Sequence, residues 1–206
     1  MKEPARARSE LYGLLSELLS FPTERLAEAC REGELETAAR ALVQFLPQRP
    51  GEGALAGLTD PGMQYVDLQS EYIRLFDVPG GGLSVPLYAG VFAPSRSDSM
   101  EELLRFYRHF GLTVSAATRD LPDAIPTVLE FLQLLAWREA TIESDGDVGA
   151  LQRAQRDVLK RHLLVWTVTA VTRIEAQGPL PFYRTVIGLL HEHCTGHATL
   201  LAATSG

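Results

Sequence analysis

The residues of this chain best suited to chemistry lie near its C-terminus, between His191 and His197. On a helix, His193 and His197 are one turn apart and can share a metal ion, with Cys194 beside them. The zinc-protease helix motif, however, needs a histidine at position 195, where this chain has Thr195. Zinc sites built from such ligands usually close with four of them. The pattern therefore favours a polar, partly frayed helix end, and a metal-dependent helical enzyme is kept only as an alternative.

Other catalytic motifs are incomplete or absent in the sequence. Ser84 and Ser97 lack the G-x-S-x-G context of a nucleophile elbow. The triple glycine at 80–82 is not followed by Gly-Lys-Ser/Thr, as a phosphate-binding loop requires. The Glu-x-x-His pairs of di-iron helical bundles are missing as well. The sequence therefore predicts a protein that is not an enzyme and that binds no cofactor.

The composition predicts one domain spanning residues 1–206. The 26 acidic and 19 basic side chains give a net charge of −7, which argues against nucleic acid and suits a partner that carries arginine or lysine. Only two cysteines occur, Cys30 and Cys194, without CxxC spacing, which indicates a reducing compartment. Glutamates interrupt the basic N-terminus, and no apolar stretch approaches 18 residues. We expect a cytoplasmic protein with no membrane span.

Apolar residues recur at helical spacing along most of the chain. This periodicity predicts an all-α, single-domain bundle of about seven to nine helices with one long apolar loop. The first apolar stripe consists of Leu11, Leu14, Leu15, Leu18 and Leu19. Valines and threonines between residues 162 and 174 also favour a strand, but a single strand would have no partner in this chain. We therefore expect a helix there.

Local signals predict where three of the helices begin. Asp60 followed by Pro61 is typical of an N-cap with proline at the first helical position. Ser99 and Glu102 have the spacing of a capping box. Pro122 is expected in the first turn of a later helix.

A long apolar loop, residues 77–97, separates two of the predicted helices. Proline and glycine at its start end the preceding helix, because they interrupt the hydrogen-bond ladder. The residues that follow, including Pro86, Leu87 and Tyr88, are apolar and aromatic. So long a loop is uncommon in a compact domain unless it has a function. Two interpretations are open: the loop packs over the core or, as we favour, it forms part of a binding site.

Five polar or aromatic residues allow both a structural and a functional interpretation. His162 and Trp166, one helical turn apart, are expected to pack in the core. Asp120, Asp123 and Glu130 lie near a helix start, where acids ordinarily act as caps and dipole partners. The functional alternative is an acidic rim beside the loop, suited to a peptide that carries arginines.

The sequence resembles the TorD/DmsD/NarJ family of redox-enzyme maturation chaperones. The motifs that carry the resemblance, in chain order, are Glu71-Tyr72-x-x-Leu75-Phe76-x-x-Pro79-Gly80, Pro86 with Tyr88, Met100-x-x-Leu103-x-x-Phe106-Tyr107, Gly111-Leu112, Leu121-Pro122-Asp123, Leu129-Glu130-Phe131, His162-Leu163-x-x-Trp166 and Phe182-Tyr183. The Leu-Pro-Asp and Leu-Glu-Phe motifs are similar to the NarJ-like branch. Many members carry Asp-His where this chain has Asp123-Ala124, so the hydrogen bond and pH sensitivity of that histidine are missing here.

The resemblance implies an all-helical cytoplasmic chaperone for a molybdopterin-containing oxidoreductase. Such a chaperone binds the N-terminal segment of the catalytic subunit, often a twin-arginine signal peptide, and holds it for cofactor insertion before export or membrane docking. The residues expected to bind the peptide are Glu71, Tyr72, Leu75, Phe76, Pro86, Leu87, Tyr88, Asp120, Asp123, Glu130, His162 and Trp166. A second alternative is an assembly subunit without peptide specificity, in which the loop is a dimer contact. A homodimer, including a domain-swapped one, remains open.

Overall fold

The computed structural model describes residues 2–51, 53–77, 84–113, 121–142 and 148–203. Its α-helices are α1 (Lys2–Leu18), α2 (Glu24–Glu32), α3 (Glu34–Val43), α4 (Tyr65–Tyr72), α5 (Arg96–His109), α6 (Ile125–Thr141), α7 (Val148–Val158), α8 (Leu164–Glu175) and α9 (Pro181–Ala203). A π-helical turn, Leu159–Leu163, joins α7 and α8 into one continuous helix, so the described residues form eight helices and no strand. The all-α prediction is confirmed, including the helix where valines and threonines favoured a strand.

The three predicted helix starts are wrong in position. Asp60 accepts a hydrogen bond from the backbone N–H of Gly62 (2.9 Å) and stabilises a turn instead, and α4 begins only at Tyr65. The N-cap of α5 is Ser95, whose hydroxyl accepts from the backbone N–H of Asp98. Helix α6 begins at Ile125 rather than near Pro122. Asp60 is used by a local turn, whereas Ser99 and Pro122 are engaged in contacts with His162 and Tyr107, which are distant in the sequence.

The core is built mainly from two helix pairs. Helix α1 packs along α6, and α8 packs along α9. The leucine stripe predicted for α1 lies in this core, where Leu11, Leu15 and Leu18 are fully buried. The largest fully buried side chains include Tyr12, Trp166, Phe182 and Tyr183. No helix in the described ranges has both the length and the apolar character needed to cross a membrane.

The histidine-rich end of α9 is buried, which corrects the expectation of a frayed helix end. His193, Cys194 and His197 all face the core. The hydroxyl of Tyr12 shares a hydrogen bond of 2.8 Å with Nδ1 of His197. Arg8, also buried, forms an ion pair with Glu139 close by. Among the described residues, no group of three or more His, Cys, Asp or Glu side chains is placed to hold a metal ion.

Burial keeps these imidazoles neutral. Desolvation lowers the pKa of His193 to about 3, and the positive charge of Arg8 adds to the effect. The pKa of His197 is lowered in the same way, by burial first and then by Arg8. A histidine with a lowered pKa in the folded chain takes up its proton at higher pH in the unfolded chain. The folded state therefore loses stability as the pH falls below about 6.5 toward the lowered values.

We expect the free energy of unfolding to fall between pH 6.5 and pH 5 by up to about 1.4 kcal/mol per pH unit for each buried histidine. Urea denaturation followed by circular dichroism at constant ionic strength measures this slope. The variant His193→Gln should have a smaller slope because one titrating group is gone. His109→Gln, which changes an exposed histidine on α5, is the matched control. An equal slope in the wild type and His193→Gln would contradict the prediction.

Candidate functional site

The predicted loop 77–97 is shorter in the structure: Asp77 ends a π-helical turn, Ile73–Asp77, α5 begins at Arg96, and residues 84–95 between them pack against the core. Val85, Leu87 and Ala89 are buried, whereas Pro86 and Tyr88 are half-buried. The segment contains a short 3-10 helix, Ala89–Phe92, and Tyr88 forms an isolated antiparallel bridge with Ala124. Residues 78–83 of the predicted loop lie outside the described residues. This part of the loop is therefore a fixed surface beside the N-terminus of α6.

Hydrogen bonds to three helices hold the loop in place. The indole N–H of Trp166 on α8 donates to the carbonyl of Pro86 (2.9 Å). Three backbone bonds complete the anchoring: Val85 N–H to Leu75 C=O (3.0 Å), Ala89 N–H to Asp123 C=O (2.7 Å) and Ile125 N–H to Leu87 C=O (2.9 Å). Trp166 is thus a core residue, as expected, and its indole hydrogen bond also anchors the loop to α8.

The carboxylate of Asp123 is fully buried and paired with Arg96. Nε of Arg96 donates to Oδ2 of Asp123 (3.0 Å), and Nη2 lies 3.4 Å from Oδ1. The guanidinium also lies over the ring of Tyr88, with its carbon 4.6 Å from the ring centroid. Gly90 makes this approach possible, because a Cβ there would lie 2.9 Å from Oδ2 of Asp123 and from Arg96. The sequence analysis missed Arg96, which sits at an ordinary helix start.

His162 lies in the π-helical turn Leu159–Leu163 and contacts α5, the helix that carries Arg96. Its Nδ1 shares a hydrogen bond of 3.0 Å with the hydroxyl of Ser99 on α5. Its Nε2 lies 3.3 Å from a carboxylate oxygen of Glu102. Burial lowers the pKa of His162, and the negative charge of Glu102 only partly opposes that effect. Ser99 is therefore a tertiary contact of His162 rather than the helix cap predicted for it.

The predicted residues on α4 and on the π-helical turn that follows it, Ile73–Asp77, form a separate group, called the α4 group. Glu71 is buried, receives two hydrogen bonds from Arg74 (2.6 and 2.8 Å) and accepts a third from the backbone N–H of Leu180 (2.8 Å). Burial raises its pKa, but these hydrogen bonds outweigh burial and leave the pKa below its usual value. Tyr72 and Phe76 pack edge to face, with ring centroids 5.1 Å apart. This group joins α4 to the start of α9.

The structure thus brings together some of the predicted site residues but not all. Pro86, Leu87, Tyr88, Asp123 and Trp166 meet at the loop, with His162 on the helical segment that leads to Trp166. Glu71, Tyr72 and Phe76 belong to the α4 group, which reaches the loop through Leu75. Glu130 is exposed on α6. Asp120 lies outside the described residues.

A groove of about 710 Å³ between α5 and α7 adjoins the loop site. Its lining includes the aromatic rings of Phe106 and Phe110, which face the small side chains of Ala150 and Ala154. The acidic residues Asp98, Glu102 and Asp157 line it toward the start of α5, and Arg105, His109 and Arg153 line it further along. The sequence signal was a pair of phenylalanines one turn apart opposite a pair of alanines, on two helices that the sequence alone does not place side by side.

The two features share one end. Glu102 lines the groove and contacts both His162 and Arg161 of the π-helical turn. Arg96 lies two residues before Asp98 on α5, and side chains at that spacing point to different sides of a helix. The acidic end of the groove is therefore linked to the region of Asp123 through His162, which contacts Glu102. Together they form a surface with an apolar floor and negative charge at one end, suited to a basic, apolar segment.

Comparison with known proteins identifies the class to which this chain belongs. Residues 24–172 match the nitrate reductase delta subunit family, and the chain belongs to that family. It is 40% identical over 123 residues to the selenate reductase assembly chaperone protein of Thauera selenatis, over 58% of this chain and 64% of that protein. The matched stretch thus spans less than two thirds of that relative's length.

Two further relatives extend the comparison. The perchlorate reductase assembly chaperone protein of Dechloromonas aromatica (strain RCB) is 29% identical over 202 residues, covering 93% of this chain and 88% of its own. The nitrate reductase molybdenum cofactor assembly chaperone NarJ of Escherichia coli (strain K12) is 32% identical over 141 residues, covering 67% of this chain and 57% of its own. The resemblance to molybdoenzyme maturation chaperones is confirmed.

We expect Trp166→Phe to lower the free energy of unfolding by about 1–3 kcal/mol, because the carbonyl of the half-buried Pro86 loses its donor. The loop at residues 84–93 should also become more sensitive to limited proteolysis. Trp137→Phe is the matched control, since Trp137 is exposed on α6 and should change stability by less than about 0.5 kcal/mol. Urea denaturation followed by circular dichroism tests both variants. Equal stabilities would show that the loop does not depend on this hydrogen bond.

Proposed function

We propose that this chain is a cytoplasmic assembly chaperone for a molybdopterin-containing oxidoreductase. It binds the N-terminal, twin-arginine-type segment of the catalytic subunit and holds it for cofactor insertion, before export or membrane docking. The named functions of the relatives support the chaperone class. The observation that carries peptide binding is the groove between α5 and α7, with its aromatic lining and its acidic end.

The groove suits an amphipathic helix that enters with its basic end toward the start of α5. From Asp98 to Phe110 the helix α5 rises about 18 Å, which matches roughly three turns of a bound helix. Apolar side chains of the client then cover Phe106 and Phe110 and leave water, which supplies most of the affinity. The positive end of the client's helix dipole meets the acidic end of the groove.

Arginines near the start of the client segment find carboxylates at this end. Asp98 is exposed, and Asp157 at the opposite wall is half-buried, where a client arginine would share it with Arg156 (3.6 Å) and Arg161 (3.9 Å). Charge-assisted hydrogen bonds from arginine to carboxylate are about twice as strong as neutral ones and fix the direction of the bound segment. The segment is held without being chemically changed, so release depends on the stability of the complex rather than on a reaction.

Isothermal titration calorimetry with a synthetic peptide tests this proposal. The peptide has two arginines followed by an amphipathic apolar stretch, and a second peptide has glutamine in place of both arginines. We expect saturable binding of the first peptide that weakens as salt is added. The double variant Asp98→Asn, Asp157→Asn should bind it about tenfold more weakly, which corresponds to about 1.4 kcal/mol. Its affinity for the glutamine peptide should match that of the wild type.

The matched control is Glu17→Gln, Glu32→Gln, which removes two exposed carboxylates from α1 and α2. It changes the net charge equally and should bind both peptides as the wild type does. A separate variant, Phe106→Ala, should weaken both peptides with no change in salt dependence. If the arginine peptide binds equally to the wild type and to all variants, the groove is not its site. If it binds to none of them, peptide binding itself is wrong.

A further inference from the structure

Arg96 occupies a preorganised site for a guanidinium group. The carboxylate of Asp123 has no exposed surface, whereas the side chain of Arg96 is 41% exposed. Asp123 is fixed by the hydrogen bond from the backbone N–H of Ala89 to its carbonyl, and Tyr88 is fixed by its bridge to Ala124. Main-chain bonds thus hold the backbone of Asp123 and Tyr88, while Arg96 supplies the hydrogen bonds to the carboxylate and the cation over the ring.

The position of Arg96 makes it an exchangeable occupant. It is the first residue of α5, directly after the N-cap Ser95. A cation at a helix N-terminus is disfavoured by the helix dipole. Its side chain reaches Asp123 from the surface. Residues that follow it on α5, from Asp98 onward, line the groove. The side chain is 41% exposed, and the main-chain bonds of Ala89 and Ile125 that anchor the loop do not involve it.

We propose that Asp123 and Tyr88 form a guanidinium-binding site, which Arg96 fills in the free chain and yields to an arginine of the bound client. This inference rests on the proposed function. The exchange of one guanidinium for another leaves the buried carboxylate paired before and after it, and so avoids the cost of an unpaired buried charge. The exchange requires a client arginine that extends beyond the acidic end of the groove to the surface where Arg96 is exposed.

The chemistry of the site selects arginine over lysine. A guanidinium offers two donors in one plane to the carboxylate and stacks its face on an aromatic ring, and a lysine ammonium does neither. Arg96 competes with the client for the site. The apparent affinity of the client is therefore its intrinsic affinity multiplied by the fraction of molecules in which the site is open. Arg96 thus makes binding selective, because a client segment without a correctly placed arginine gains no binding free energy by displacing it.

The first test needs no client. Arg96→Ala opens the site, and we expect it to lower the melting temperature. Millimolar ethylguanidinium should restore part of the loss in Arg96→Ala and leave the wild type unchanged. Ethylammonium should not restore it. Arg40→Ala is the matched control, because Arg40 is an exposed arginine paired with Glu36 on α3. Equal effects of ethylguanidinium on both variants, or equal rescue by ethylammonium, would overturn the guanidinium site.

If Arg96→Ala fails to fold, Arg96→Lys takes its place, since it keeps the charge but not the planar contact. The same rescue is expected with it. Absence of rescue in the folded lysine variant counts against the site as well.

The second test uses peptides with the two arginines either kept or both replaced by lysine. Arg96→Ala should bind the arginine peptide at least fivefold more tightly than the wild type does, and the lysine peptide with no such gain. Arg40→Ala should match the wild type. If the wild type binds the arginine peptide but Arg96→Ala binds it no more tightly, the exchange is wrong while the proposed function stands. If no variant binds either peptide, the exchange and the proposed function both fail.

Discussion

A carboxylate cannot be placed inside a protein without a partner, and Asp123 is the residue on which this constraint falls. Its charge determines the features around it: Arg96 at the start of α5, Gly90 where a side chain would collide, and the loop segment that covers both. Tyr88 closes the arrangement from above the guanidinium. The start of α5, the loop and the N-terminus of α6 therefore meet at one buried ion pair. Helix α5 also forms one wall of the groove, so the contacts that position α5 also position the groove.

The loop and the groove divide the work of recognition between a rigid part and an open part. The loop is fixed by main-chain bonds and by the indole of Trp166, so it offers a surface whose shape is set before any partner arrives. Preorganisation of this kind reduces the entropy lost on binding. The groove instead offers apolar surface and a gradient of charge, which together reward partners of a given direction and composition more than partners of a given exact sequence.

Apolar periodicity was sufficient to predict the all-helical fold, because a stripe such as Leu11, Leu15 and Leu18 has to be buried whichever neighbours it meets. Helix starts were less predictable. Ser95 and Ser99 are both serines that could cap α5. Ser95 is the N-cap, and Ser99 instead hydrogen-bonds to His162, which is distant in the sequence. Of the residues that motif resemblance predicts for the peptide site, Tyr88, Asp123 and Trp166 lie in one region. The resemblance also included Glu71, whose partners are Arg74 and the start of α9. The groove was out of reach because it depends on the spacing of two helices far apart in sequence.

The π-helical turn between α7 and α8 has a geometric effect that neither helix would have alone. One additional residue in a helix shifts the phase of everything after it by about 100°. Residues before the turn, such as Ala154 and Asp157, line the groove, whereas Trp166 after it supports the loop. The continuous helix formed by α7 and α8 thereby contributes to both the groove and the support of the loop. A regular helix of the same sequence would orient these residues differently. Removing one residue from 159–163 would rotate the support for the loop out of alignment while leaving the wall of the groove in register.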